Sequence, residues 1–150
     1  MRVILQRVKR GCVSVDGQIV GSVDAGYVAL VGVTHEDSIT QAELLARKTA
    51  SLRVFEDGAG KLNLSVLDVG GGVLVISQFT LYADATQGRR PSFIHAARPD
   101  HAAPLVEHYA ACLRKEGIQQ VETGKFGAMM LVEIHNDGPV TIILDTDALK

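Results

Sequence analysis

Apolar and polar positions along this chain alternate in short runs, punctuated by glycine-rich turns. One apolar run, Val73-Leu74-Val75-Ile76, is led in by Gly70-Gly71-Gly72. Four consecutive, mostly β-branched residues read as a strand buried on both faces. The chain then becomes Ser77-Gln78-Phe79-Thr80 without a turn signal. Two hydroxyls and a carboxamide at the end of a buried strand need partners, because each unpaired group costs roughly 1–3 kcal/mol. Either the protein satisfies them or they line a cavity where a ligand does.

Other strands follow the same logic. Val3-Ile4-Leu5 opens one, and Arg7, Lys9 and Arg10 follow it. With Arg2 these cations read either as a solvated edge that discourages aggregation or as a phosphate-facing patch. Asp16-Gly17 between alternating runs predicts a two-residue hairpin, since both central positions favour positive φ. Residues 27–33, YVALVGV, predict a further buried strand, and Arg53–Glu56 a short one. Lys61–Ser65 alternates as a half-buried segment. Two strands, Met130–Ile134 and Val140–Leu144, are expected at the end, joined by the turn-rich His135–Pro139.

Two stretches carry helical periodicity. Thr40-Gln41-Ala42-Glu43 fits a capping box, and Ala42, Leu45, Ala46 and Thr49 then fall on one face. The second helix is expected from about His101 to Glu116, with Leu105, Tyr109, Cys112 and Leu113 buried and Pro104 in the first turn. Gly117 supplies its stop. Asp84–Phe93, with Arg89-Arg90, reads as an exposed loop. The order of elements predicts a single α+β domain over residues 1–150, with mainly antiparallel sheets and two helices packed on them.

Composition narrows the options. The chain is 47% hydrophobic with only 5% aromatic residues, so its core is aliphatic. A net charge of -2 makes no bulk case for nucleic-acid binding, and a basic footprint must be local. Cys12 and Cys112 form no disulfide framework or metal spacing, which favours a reduced, cytoplasmic setting. No run reaches the roughly 18 apolar residues of a membrane span, so no membrane association is expected.

Familiar catalytic sets are missing. His35, His95, His101, His108 and His135 belong to no HExxH or other metal motif, and P-loop, GxGxxG and GxSxG patterns do not occur. No metal or cofactor is expected. One further element stands out. Asn136-Asp137-Gly138-Pro139-Val140-Thr141 is either an ordinary hairpin turn or a device for presenting two backbone carbonyls, which a cis Gly-Pro bond would aim to the same side. Such carbonyls bind an ammonium group without a carboxylate.

Taken together, the residues resemble the D-aminoacyl-tRNA deacylase family, which carries SQFTL and NxGPVT motifs. The matching segments are Gln6-Arg7-Val8, residues 52–57 (LRVFED), residues 60–63 (GKLN), residues 77–81 (SQFTL), residues 90–93 (RPSF), residues 123–127 (TGKFG) and residues 136–141 (NDGPVT). Met129 stands where the family often has an acid, and His135 where an aliphatic is expected.

The resemblance implies a barrel-like arrangement of the sheets and a homodimer that hydrolyses the ester between a D-amino acid and the terminal adenosine of tRNA, with glycyl-tRNA as a further substrate. It implies a cis Gly138-Pro139 bond that enters the partner's pocket and holds the substrate amino group. It makes Arg7 the prop of that loop, Phe126 the residue near the terminal adenine, and Ser77 a further substrate contact. Gln78, Phe79 and Thr80 are the catalytic candidates. Thr80 as a nucleophile is one route, although no base is visible to activate it. The favoured route is assistance from the 2′-OH of the terminal ribose, with an oxyanion site at the main-chain N–H groups near Phe79 and Thr80. A non-catalytic RNA-end-binding dimer and a conventional hydrolase of small esters are the alternatives.

Overall fold

The computed structural model describes residues 1–149. Its framework is β1 (Arg2–Val15), a 14-residue strand with partners along both edges. Residues 2–8 pair antiparallel with β3 (Gly26–Gly32), and residues 11–15 with β2 (Gln18–Val23). Asp16 and Gly17 turn β1 into β2 at φ of 50° and 78°, as the Asp-Gly signal requires. Arg7, Lys9 and Arg10 therefore lie within a central strand and not on a solvated edge. Arg7 is buried, with 4% of its surface exposed.

The main sheet is mixed: most of its pairings are antiparallel, as expected, but two are parallel. β3 pairs parallel with β6 (Gly72–Ser77), and β6 pairs parallel with β7 (Val121–Thr123). Hydrophobic periodicity reports burial but not the direction of the partner, so the parallel pairing was not legible. Where β3 and β6 begin, the backbones touch. A Cβ on Gly26 would stand 1.9 Å from the Gly72 carbonyl, and Gly26 has φ of 150°, so only glycine fits. At the far edge β7 comes back against β2, where a Cβ on Gly21 would meet the Thr123 carbonyl at 2.8 Å. The result is a nearly closed, barrel-like sheet.

β6 is buried on both faces, as its apolar run predicts. Val73 and Val75 join the core beneath the helices, while Leu74 and Ile76 fill the barrel with Val8, Val13, Val23 and Val28. Each such side chain contributes roughly 1.5–3 kcal/mol by leaving water. Helices α1 (Ile39–Ser51) and α2 (Pro99–Lys115) cover the outer face of this sheet. The hydroxyls of Thr49 and Tyr109 meet between them at 2.9 Å. Among the described residues, no helix is long and apolar enough to cross a membrane.

Both helix starts differ from expectation. The N-cap of α1 is Ser38, not Thr40. Its hydroxyl accepts from the Thr40 N–H, and its own N–H donates to Gln41 Oε1 at 2.8 Å. Two overlapping capping patterns compete here, and the serine wins because its φ/ψ is extended. Helix α2 begins at Pro99, whose missing N–H costs nothing at the first helical position, and Pro104 falls in the second turn.

Strands β4 (Arg53–Glu56) and β5 (Leu62–Ser65) form a small separate antiparallel sheet. The half-burial expected of residues 61–65 is confined to Leu64 and Ser65, since Leu62 is exposed. The last element is one strand, β8 (Leu131–Asp145), not two strands joined by a hairpin. It runs along β1 from Arg2↔Asp145 to Ser14↔Leu131. Gln6 pairs with Thr141 and Val8 with Asn136, so the four residues Asp137–Val140 stand opposite Arg7 alone. The Gly-Pro segment is thus a wide bulge that leaves the strand direction unchanged.

Candidate active site

The polar stretch after β6 is placed by backbone bonds. The Gln78 N–H donates to the Val31 carbonyl at 2.8 Å, which extends the β3–β6 pairing by one rung. Phe79–Tyr82 then coils into a short 3-10 turn. Only Ser77 of the polar quartet belongs to the strand. Gly32 lets this turn dock, because a Cβ there would lie 3.0 Å from Leu81 Cβ and 3.2 Å from the Gln78 carbonyl.

Beside this turn lies a cavity of about 650 Å³. Ser77, Gln78 and Phe79 form one wall, and Phe126 to Met130 another. The start of α2 and the segment through Phe93, Ala96 and Ala97 complete it. That segment is held by the Ala97 N–H on the Val33 carbonyl at 2.9 Å. Phe79 and Phe93 meet edge to face at 5.2 Å, and both remain partly exposed. Phe126 is 38% exposed and can take a flat apolar ligand against its ring.

Among the described residues, the lining contains no ionisable side chain. No carboxylate is present to hold an ammonium group, and no imidazole or carboxylate to serve as a base. Met129, at the position where the family often has an acid, is 91% exposed and adds only apolar surface. His135 lies on the exposed side of β8 outside the cavity.

Thr80 also lies outside the lining, on the exposed turn. Its hydroxyl accepts a hydrogen bond from the Gln78 side-chain amide, so it faces a donor and no base. The N–H groups of Phe79 and Thr80, at the start of the 3-10 turn, have no acceptor among the described residues. They are free to bind a ligand oxygen.

Gly138 and Pro139 are not in this cavity. They sit exposed on the β8 bulge, and the bond between them is cis. Arg7 braces the bulge from inside. Its Nε donates to the Asp137 carbonyl at 3.0 Å, and its Nη1 to the Val54 carbonyl at 2.8 Å. The carboxylates of Asp137 and Glu56 lie 3.6 and 4.0 Å from the guanidinium and balance its charge. Spent on these bonds and buried, Arg7 leaves the set of cations available to a phosphate, whereas Lys9, Arg10, Arg89 and Arg90 are exposed.

The structure thus brings Ser77, Gln78, Phe79 and Phe126 together, joins Arg7 to the Gly138-Pro139 bulge, and keeps the two groups apart within one chain. Of the remaining walls, Phe93 and Met129 entered the sequence reading only as motif positions, and Ala96, Ala97, Ala128 and Met130 were not singled out for the pocket, because apolar residues in irregular segments carry no periodicity.

Comparison with known proteins agrees with the motifs. The D-Tyr-tRNA(Tyr) deacylase family matches residues 4–145. The chain is 59% identical over 150 residues to a D-aminoacyl-tRNA deacylase of Thermomicrobium roseum (strain ATCC 27502 / DSM 5159 / P-2), covering 100% of this chain and 97% of the relative. It is 58% identical over 146 residues to one of Geobacillus sp. (strain WCH70), covering 97% and 95%. Among solved structures, the c-Myc DNA Unwinding Element Binding Protein superposes with a TM-score of 0.91 at 39% identity, covering 97% of this chain and 98% of that one. A probable eukaryotic D-amino acid tRNA deacylase superposes with a TM-score of 0.82 at 16% identity, covering 95% and 97%, and shares the fold. With the fold, the motif residues and these relatives in agreement, the chain belongs to the D-Tyr-tRNA(Tyr) deacylase family of hydrolases.

Proposed function

We propose that this protein hydrolyses the ester of D-aminoacyl-tRNA, and of glycyl-tRNA, as a homodimer whose pocket is completed by the partner's Gly138-Pro139 bulge. The observation that carries this reading is the absence of any ionisable side chain from the pocket lining. An aminoacyl ester brings a cationic amino group, which needs acceptors that one chain's pocket does not supply. The exposed Gly138 and Pro139 carbonyls are acceptors without a pocket of their own. A second copy delivers them. The outer face of β8, with Leu131 and Ile143 about two-thirds exposed, is an apolar surface suited to that contact.

With the amino group and the ester both fixed, the two enantiomers differ only in where the side chain points. A D side chain projects outward and an L side chain strikes main chain, which cannot move aside. Glycine has nothing to reject. Side-chain identity matters little in this scheme.

Hydrolysis then needs an activated water and a place for the oxyanion. The free N–H groups of Phe79 and Thr80 supply the second, acting on the tetrahedral intermediate and costing no reorganisation. The ribose 2′-OH of the substrate assists the water, since the lining holds no protein base. Ser77 and Gln78 hold the scissile group, and the Phe126 ring takes the terminal adenine. Exposed Lys9, Arg10, Arg89 and Arg90 meet the acceptor-end phosphates, which gives a shallow salt dependence. Two free, buried cysteines suit a reduced, cytoplasmic compartment.

The test is to incubate the protein with matched D- and L-aminoacyl-tRNA and with a small D-amino-acid ester. The expected result is release from the D-aminoacyl-tRNA alone, by a factor of at least about 100 over the L form. Equal release from both enantiomers refutes the chiral pocket. Release from the small ester indicates a conventional esterase, and binding without release an RNA-end-binding protein.

A further inference from the structure

Away from the cavity, three potential metal ligands converge between the helices. Glu43 extends from α1, and His108 and Cys112 from α2, where a spacing of four residues puts both on one face. One ligand atom from each lies within 4.8 Å of the others. The His108 Nε2 is already 3.2 Å from Glu43 Oε1. Nothing in the proposed deacylation uses these residues.

We propose that Glu43, His108 and Cys112 form a three-ligand site for a divalent zinc-class cation that fastens α1 to α2. Imidazole and thiolate select zinc over magnesium or calcium, which favour all-oxygen shells. In a tetrahedral zinc site, ligand atoms stand roughly 3.3–3.7 Å apart, given bond lengths near 2.0–2.3 Å. The cluster closes to that spacing by small rotations of Glu43 and His108. Both have the freedom to make them, since their side chains are 45% and 35% exposed. The same exposure gives the ion its route in, while Cys112 forms the buried floor at 8% exposed.

Charge also balances. When the S–Zn bond forms, the thiol proton passes to solvent, and thiolate with carboxylate neutralises the divalent ion. Because the metal displaces the thiol proton, affinity rises with pH. The alternative for this cluster is a plain Glu43–His108 hydrogen bond with a bystander thiol.

The experiment uses the full chain, stripped with a chelator and dialysed, then titrated with zinc against a chromophoric chelator. One equivalent per chain is expected, with affinity reduced by at least about tenfold in His108→Ala and in Cys112→Ser. His108→Ala alters a half-exposed side chain, so the test survives if Cys112→Ser folds poorly. Cobalt substitution should give thiolate-to-metal charge-transfer absorption that persists in Cys12→Ser and vanishes in Cys112→Ser. Zinc should raise the Tm of the unaltered protein and leave that of His108→Ala unchanged. No stoichiometric binding, or binding indifferent to both ligand substitutions, overturns the site.

Discussion

The guanidinium of Arg7 donates from Nε to the backbone carbonyl of Asp137 at 3.0 Å, across 130 positions of sequence. This bond is where the barrel's central strand grips the bulge that carries Gly138 and Pro139. The second arm of Arg7 holds the Val54 carbonyl, so the bulge, β1 and the small β4–β5 sheet share one fastener. Arg7→Ala leaves two carbonyls without a donor and should cost about 2–6 kcal/mol, from roughly 1–3 kcal/mol for each unpaired acceptor. Arg7→Lys keeps the charge but reaches one carbonyl at most. It should fold, with a smaller loss in denaturant midpoint, yet deacylate D-aminoacyl-tRNA at least about tenfold more slowly because the bulge is loosely held. Wild-type activity in Arg7→Lys would detach the brace from function.

The Thr80 hydroxyl accepts from the Gln78 amide, and no base touches it. Thr80→Ala should therefore keep deacylation within about tenfold of wild type, since the turn's N–H groups remain. Single-turnover rates with a D-aminoacyl-tRNA provide the check. A drop of several orders of magnitude in a folded protein restores Thr80 as the nucleophile.

Ser38 caps α1, and Thr40 sits inside its first turn. Ser38→Ala should lower stability by about 1 kcal/mol, as the loss of a helix cap does. Thr40→Ala should be close to neutral. Urea melts of the two variants separate the cap seen in the fold from the one the Thr-x-x-Glu spacing suggests.

Burial acts to raise the pKa of Asp145, but the Asp147 N–H and the Arg2 guanidinium outweigh it and hold the carboxyl below its ordinary value. A depressed folded-state pKa stabilises fully above the unfolded value and is lost as pH falls through the folded one. Stability should thus decline on acidification below the ordinary carboxylate range, and Asp145→Asn should flatten that acid limb. Thermal melts from neutral pH downward measure the slope. An unchanged acid limb in Asp145→Asn assigns the decline to other carboxylates.

What the sequence disclosed follows from which interactions are local. The Val73–Ile76 run shows β6 directly, because burial on both faces needs no knowledge of partners. Asp16-Gly17 shows its hairpin because positive φ is a property of those two residues. The Gly138-Pro139 bulge was not legible as a bulge, since its composition matches that of a reversing turn and only pairing with β1 keeps the strand straight. Arg7 was not legible as buried. Its carbonyl partners come from residues 47 and 130 positions away, and an arginine on an alternating strand otherwise reads as surface. Of the site, Ser77 to Phe79 announced itself by polarity after an apolar strand. The spacing of His108 and Cys112 was present in the sequence, but Glu43 joins them only through the packing of the two helices.

The most direct test of a pocket shared between two chains is subunit complementation. Ala128→Trp fills the pocket from a half-exposed wall position, and Gly138→Val with Pro139→Ala disables the bulge. Each variant alone should be inactive on D-aminoacyl-tRNA. Mixed and allowed to exchange subunits in equal amounts, they should recover about one-quarter of wild-type activity, because half the dimers are hybrids and each hybrid holds one intact pocket facing one intact bulge. No recovery, with subunit exchange demonstrated, would show that pocket and bulge act within a single chain.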